Sequence, residues 1–175
     1  MQKEFEIPEG VDVRIEGKTI EVSGEKGSLK RKFNHFYNIK VEKKDNRLMI
    51  SSDNDRRKVK AMVGTIAAHA RNMVKGVTKG YTYKMKIVYS HFPITVKVEG
   101  NKILVGNFIG EKIPRVARII GDAKVEVKGQ DIIITGLNKE DVGQTMSSIE
   151  QICRITKFDR RIFQDGVYFT GEDDG

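Results

Sequence analysis

Cysteine occurs once in this chain, at Cys153, and tryptophan is absent. A lone thiol closes no internal disulfide, so a reducing compartment is expected and the cores must hold without cross-links. Zinc is excluded as well: His35, His69 and His91 stand far apart, and with a single cysteine they match no paired-ligand spacing. Proline is scarce, at 3 of 175 residues. No apolar run approaches the length that spans a bilayer, and Met1-Gln2-Lys3-Glu4-Phe5-Glu6 lacks the apolar core of a leader peptide. The expectation is a soluble, cytoplasmic protein with no membrane partner.

A catalytic constellation is missing too. Carboxylates are many, but they alternate with lysines as on a solvent face, and no nucleophile, histidine and acid fall into a set. Gly17-Lys18-Thr19 imitates the end of a phosphate-binding loop. The full motif needs a glycine where Asp12 stands, and no helix follows to receive the phosphate. Cys153, in register with an apolar helical stripe, reads as a buried structural thiol. Neither an enzyme nor a bound cofactor, metal or small-molecule substrate is expected.

What the chain does have is positive charge, unevenly spread. The formal net charge is +8; residues 1–80 carry 18 Lys+Arg against 11 Asp+Glu, and residues 81–175 carry 14 against 13. A basic balance favours a nucleic-acid or acidic-membrane partner without choosing between them.

Periodicity sets the fold class. Val11 to Glu16 and Thr19 to Val22 alternate apolar and polar residues about a Gly17-Lys18 turn, which predicts a hairpin. A turn at Gly24 to Gly27 leads into Ser28 to Phe33, and Ile39 to Glu42 pairs with Leu48 to Ser51. Ser52 and Asp55 resemble a capping box, the stripe Val59, Val63, Ile66, Ala70 and Met73 predicts one helix, and Gly76 is placed to end it in a left-handed cap. The pattern then recurs. Val96 to Gly100 follows Val13 to Gly17 at an offset of 83, Ile132-Ile133-Ile134 lies 84 after Leu48-Met49-Ile50, and Val142, Met146, Ile149, Cys153 and Thr156 repeat the helix stripe at 83 with Asn138 as N-cap. The reading is α+β: two similar domains, 1–80 and 81–175, each a small, mostly antiparallel sheet against one main helix, related by internal duplication. Val77 to Ser90 reads as a long strand between them, and Val167 to Thr170 as a last strand before a solvated Glu172-Asp173-Asp174 end.

Several basic stretches are candidates for contact. Lys30-Arg31-Lys32 and Arg56-Arg57-Lys58 fall in the first half, the second of them at a helix start, where cations oppose the macrodipole. Lys112-Ile113-Pro114-Arg115-Val116-Ala117-Arg118 spaces its cations three apart with apolar residues between. From Arg154 to Tyr168, four cations (Arg154, Lys157, Arg160, Arg161) are threaded with Phe158, Ile162, Phe163 and Tyr168. That composition suits cations held in place for phosphate contacts, and equally a helix end and a last strand with ordinary surface charge. Gln164-Asp165-Gly166 reads as a tight turn, with Gly166 at positive φ and Asp165 bonding its own backbone.

These residues carry a resemblance. Gln151-Ile152-Cys153-Arg154-Ile155 and Arg161-Ile162-Phe163-Gln164-Asp165-Gly166-Val167-Tyr168, supported by Gly76 to Tyr81, Tyr83-Lys84-Met85 and His91-Phe92-Pro93-Ile94, make the chain similar to the large-subunit ribosomal protein L-six family in its archaeal and eukaryotic form. The resemblance spans nearly the whole chain. It implies two duplicated α+β domains and no catalytic residues. It also implies binding to large-subunit ribosomal RNA, mainly by the second domain, close to the sarcin–ricin loop and the stalk base, beside neighbouring ribosomal proteins. Its RNA-facing basic residues map onto Arg154, Lys157, Arg160 and Arg161, with Tyr168 packing or stacking. The full set of expected RNA contacts is Lys84, Lys86, His91, Lys112, Arg115, Arg118, Arg154, Lys157, Arg160, Arg161, Gln164 and Tyr168.

Overall fold

In the computed structural model, which describes residues 1–34 and 38–173, the expected helix stripe is buried at every position from Val59 to Met73. His35 and Asp174 lie outside the described residues. The chain forms two compact units, Met1–Gly80 and a second beginning at Tyr81. The first contains β1 (Gln2–Glu6), β2 (Asp12–Glu16), β3 (Thr19–Gly24), β4 (Gly27–Lys32), β5 (Lys40–Lys44), β6 (Arg47–Ser51) and α1 (Arg57–Thr78). Its strands divide between two antiparallel sheets, ordered β1-β6-β5 and β2-β3-β4. No alternation announces β1, whose one large apolar side chain besides Met1 is Phe5; its ladder to β6 pairs Phe5 with the buried Leu48.

The second unit repeats that plan: β7 (Tyr81–Val88), β8 (Thr95–Glu99), β9 (Lys102–Gly106), β10 (Arg115–Arg118), β11 (Lys124–Lys128), β12 (Asp131–Gly136), α2 (Lys139–Ile152) and β13 (Gly166–Asp173). The sheets run β11-β12-β7-β13 and β10-β9-β8. Strand for strand this is the order of the first unit, with β13 added on the far edge of β7. Each unit surrounds one apolar core, in which helix and both sheets take part. The α+β architecture with two similar domains therefore stands.

Local expectations fail at the ends of α1. Ser52 does not cap it: its hydroxyl donates to the Asn38 carbonyl (2.9 Å) and accepts from the Asn54 amide (3.3 Å), which ties off β6 instead. The N-cap is Arg56, with no side-chain cap and no acid in the first turn. Gly76 lies inside the helix, buried, because one more turn also buries Val77. The left-handed residue is Gly80 (φ 77°), whose amide reaches the Lys75 carbonyl (3.3 Å). The following strand therefore starts at Tyr81 and not at Val77.

The second helix begins as expected, with Asn138 Oδ1 accepting from the Glu140 amide (3.1 Å) and Glu140 and Asp141 in its first turn. It ends early, however, at Ile152. Thr156, expected on its stripe, lies beyond it and is exposed. Thr145 is buried and fully used, donating to the Asp141 carbonyl (2.7 Å) and accepting from the Ile120 amide (3.0 Å). At the other end of the unit β13 continues to Asp173, past the expected Thr170, with a register shift after Phe169.

Ile149 is completely buried between α2 and the strands beneath it. Ile149→Ala is expected to cost about 2–5 kcal/mol through reduced burial and a residual cavity, read as a lower denaturant midpoint at unchanged slope; a cost below about 1 kcal/mol would contradict this core assignment.

Candidate nucleic-acid interface

Between the end of α2 and the start of β13, residues 154–165 run without regular structure, yet they are tied down at several points. Asp165 does not bond its own backbone. Its side chain is 1% exposed, and its oxygens take the amides of Ser90 (3.3 Å) and His91 (3.3 Å), the Ser90 hydroxyl (3.2 Å) and His91 Nδ1 (3.0 Å). A carboxylate only accepts, so Nδ1 carries the proton in that contact. Burial pushes the Asp165 acid up, but the bonds from His91 and Ser90 outweigh it and hold the acid below its ordinary value of 3.8. Gly166 is not at positive φ. Its requirement is space: a Cβ there would lie 3.2 Å from the Tyr168 ring.

Aromatic contacts continue the support. Phe163 has the His91 ring stacked at 4.2 Å and the Phe158 ring tilted at 4.7 Å. The Asp159 carbonyl takes the amides of Ile162 (3.1 Å) and Phe163 (2.8 Å), giving a single turn. Arg160 Nε donates to the Ile155 carbonyl (3.0 Å), and the Tyr168 hydroxyl donates to the Gln164 carbonyl (2.8 Å). Not every apolar residue of the stretch is an anchor, since Ile162 is 63% exposed.

This framework brings part of the expected set together. Arg154, Arg160, Gln164 and Tyr168 line one cleft of about 310 Å³, with Ile155 and Phe163 as its apolar wall and the Glu150 carboxylate and buried Asp165 also on its lining. Arg115 and Lys157 line a second, of about 390 Å³, with Glu111 and Phe158. Lys112 and Arg118 line neither, and Arg118 stands opposite Lys102 on the β10–β9 ladder. Lys84 and Lys86 face outward from β7; Lys86 is in register with Tyr168, and Lys84 pairs with Asp173 (2.8 Å). His91 is committed to Asp165 and Phe163.

Two arginines are also engaged internally. Arg115, whose side chain is 28% exposed, forms a two-pronged pair with Glu111 (2.8 and 2.6 Å) and lies over the Phe108 ring at 4.4 Å. Its remaining donors take the carbonyls of Ile152 (2.5 Å) and Arg154 (3.1 Å), which explains why α2 ends there. Its hydrogen bonds to the accepting Glu111 carboxylate raise the Arg115 pKa, and the same bonds lower that of Glu111. Arg161 grips Asp159 through both carboxylate oxygens (3.2 and 3.0 Å), although its side chain is 90% exposed. The thiol of Cys153 is buried, and that burial pushes it up to about 12, as suits an inert core group. Sequence reasoning missed Asp159, Glu111 and the true role of Asp165. Asp159 and Glu111 leave a signal, an acid two or four residues from the arginine; Asp165 leaves none, because its partners are 74 and 75 residues away.

With the geometry in view, the chain can be compared with known proteins. The ribosomal protein L6 family model matches residues 7–80 and again 92–166, once in each unit. The chain belongs to the ribosomal protein L6 family. Among curated relatives, the large ribosomal subunit protein uL6 of Methanocella arvoryzae is 48% identical over 97% of this chain and 96% of its own length. The proteins of the same name from Ignicoccus hospitalis and Staphylothermus marinus are 49% and 50% identical over 93% and 95% of this chain, and over 90% and 91% of their own lengths. The L6 family is structural and not enzymatic, in keeping with the missing catalytic set. In this L6-family chain, the Arg161-to-Tyr168 element is thus a clamped loop leading into an added strand.

Two outcomes follow from this arrangement. Arg115→Lys, which keeps the charge but not the fork, is expected to destabilise the fold by roughly 1–3 kcal/mol, nearly as much as Arg115→Ala; thermal melts of the two variants would show it, and a wild-type melting point for the lysine variant would refute it. Asp165 is held below 3.8, so its contribution to stability is complete above that value and is lost as the pH falls through and below it. Acid unfolding curves should therefore be flatter for Asp165→Asn than for the native chain below pH ~4.

Proposed function

We propose that this chain is a structural component of the large ribosomal subunit that binds large-subunit ribosomal RNA close to the sarcin–ricin loop and the base of the stalk, beside neighbouring ribosomal proteins, and so supports the region where translation factors dock. Its place is then the cytoplasmic ribosome. The observation that carries the reading is the cleft where Arg154 and Arg160 meet Gln164 and Tyr168 on a segment fastened to the central strand of a sheet. Among the described residues Arg154 has no ion pair, and Arg160 spends only one donor, on a carbonyl, so both retain charge for phosphates. Folded RNA, whose base edges are hard to reach from the deep groove, is recognised through such phosphate and shape contacts. Lys86 and Lys157 extend the positive surface, whereas Arg115, Arg161 and Lys84 are partly neutralised by Glu111, Asp159 and Asp173.

A protein scaffold working through the sheet faces fits less well. The outward positions of the four-stranded sheet carry Lys84, Lys86, Lys124, Glu126 and Lys128 around Ile133 and Tyr168, a mostly charged face. The most exposed large apolar residues, Ile113 at 81% and Ile162, lie in loops, where contact with a neighbouring ribosomal protein would cover them.

Arg154→Ala combined with Arg160→Ala should weaken binding to an RNA fragment containing the sarcin–ricin loop and stalk-base helices. It should also lower the slope of log K against log salt by roughly 0.7–0.9 for each phosphate no longer neutralised. Arg161→Ala, already paired, should change both less. Affinity and slope unchanged in the double variant would count against the assignment, as would release of the chain from ribosomal particles by nuclease-insensitive, salt-insensitive competition with a protein alone.

A further inference from the structure

Residues 154–165 carry the cations of the cleft but have no ladder or helix of their own, so something else must set their conformation. Arg115 holds the first of them through the Arg154 carbonyl, and two contacts from the residues just past the end of β7 hold the far end. Asp165 immediately precedes β13, and its four hydrogen bonds among the described residues all go to Ser90 and His91. Two residues earlier, Phe163 lies under the His91 ring and carries Phe158 in turn. Phe158 adjoins Lys157, and the segment between Asp165 and Phe158 contains Arg160 and Gln164. A turn-forming aspartate would have been satisfied locally. This one is buried and satisfied at long range, which fixes the segment to the sheet and not merely to itself.

We propose that Asp165, acting with His91, is a positioning residue of the RNA interface: the buried carboxylate locks the 158–165 end of the segment to the residues after β7 and so pre-sets Arg160 and Gln164 beside Arg154 at the cleft. The proposal rests on the RNA reading above and adds to it where the affinity comes from. A loop already ordered in the free protein does not bear the ordering cost at binding. His91 then contributes through Phe163 and Asp165 and not by touching RNA.

A double-mutant cycle tests this with the full chain and the same ribosomal RNA fragment, under conditions where circular dichroism shows every variant folded. Asp165→Asn removes the charge at constant shape; His91→Phe keeps a ring against Phe163 but not the bond to Asp165, and serves if the aspartate variant does not fold. Each is expected to weaken binding about tenfold in the native background and less than about twofold in the Arg154→Ala, Arg160→Ala background. A purely structural role would lower the melting temperature in both backgrounds without such coupling. Equal weakening in the two backgrounds, or none in the first, overturns the proposal while leaving the RNA reading intact. A native chain that does not bind the fragment overturns both.

Discussion

Each unit stands on one apolar helical stripe laid across two short-stranded sheets. Strands of four to six residues in a three-stranded sheet bury too little to persist alone, and an isolated helix of fourteen residues is marginal in water. Joined, they exclude water from a single core per unit. Val63, Ile66 and Ala70 close it in the first, and Val142 and Ile149 in the second. With one thiol and no cross-link available, this burial is the main source of stability, and everything the surface presents is referred to it.

The chain carries two copies of the plan, and the differences between them fall where the second places its candidate interface. In the first unit α1 runs 22 residues and keeps its apolar stripe to Val77. In the second, the helix stops after 14, with the carbonyl of its last residue, Ile152, and that of Arg154 just beyond it taken by Arg115. The chain so released forms the clamped segment and then β13, which covers the edge of β7. The matching edge, on β1, is handled differently. There Lys3 sits in register with the buried Ile50, and a lysine on the core side of an edge strand discourages further pairing.

Charge is managed as closely as packing. The second unit is nearly neutral in formal count, and several of its acids are assigned to particular cations or donors. Glu111 serves Arg115, Asp159 serves Arg161, Asp173 serves Lys84, and Asp165 serves the amides and side chains of Ser90 and His91. Arg154 and Arg160 line the cleft with no ion pair among the described residues, Arg160 with one donor on the Ile155 carbonyl.

Periodicity determined the duplicated α+β plan, the first helix stripe, the second as far as Cys153 and the burial of that thiol, and residue type marked the Asn138 cap, because those depend on spacing and chemistry within one element, which is written in the chain. It also marked the basic stretch that ends at Tyr168. Only the tertiary structure decided where α1 starts and stops, since Ser52 and Gly76 had competing uses in a strand end and a buried turn. It alone decided that Gly166 is small to make room for a ring and that Asp165 is a long-range anchor. Which arginines are spent and which are free was likewise settled by partners brought near through folding, and a linear pattern holds no trace of neighbours that meet from 74 residues apart.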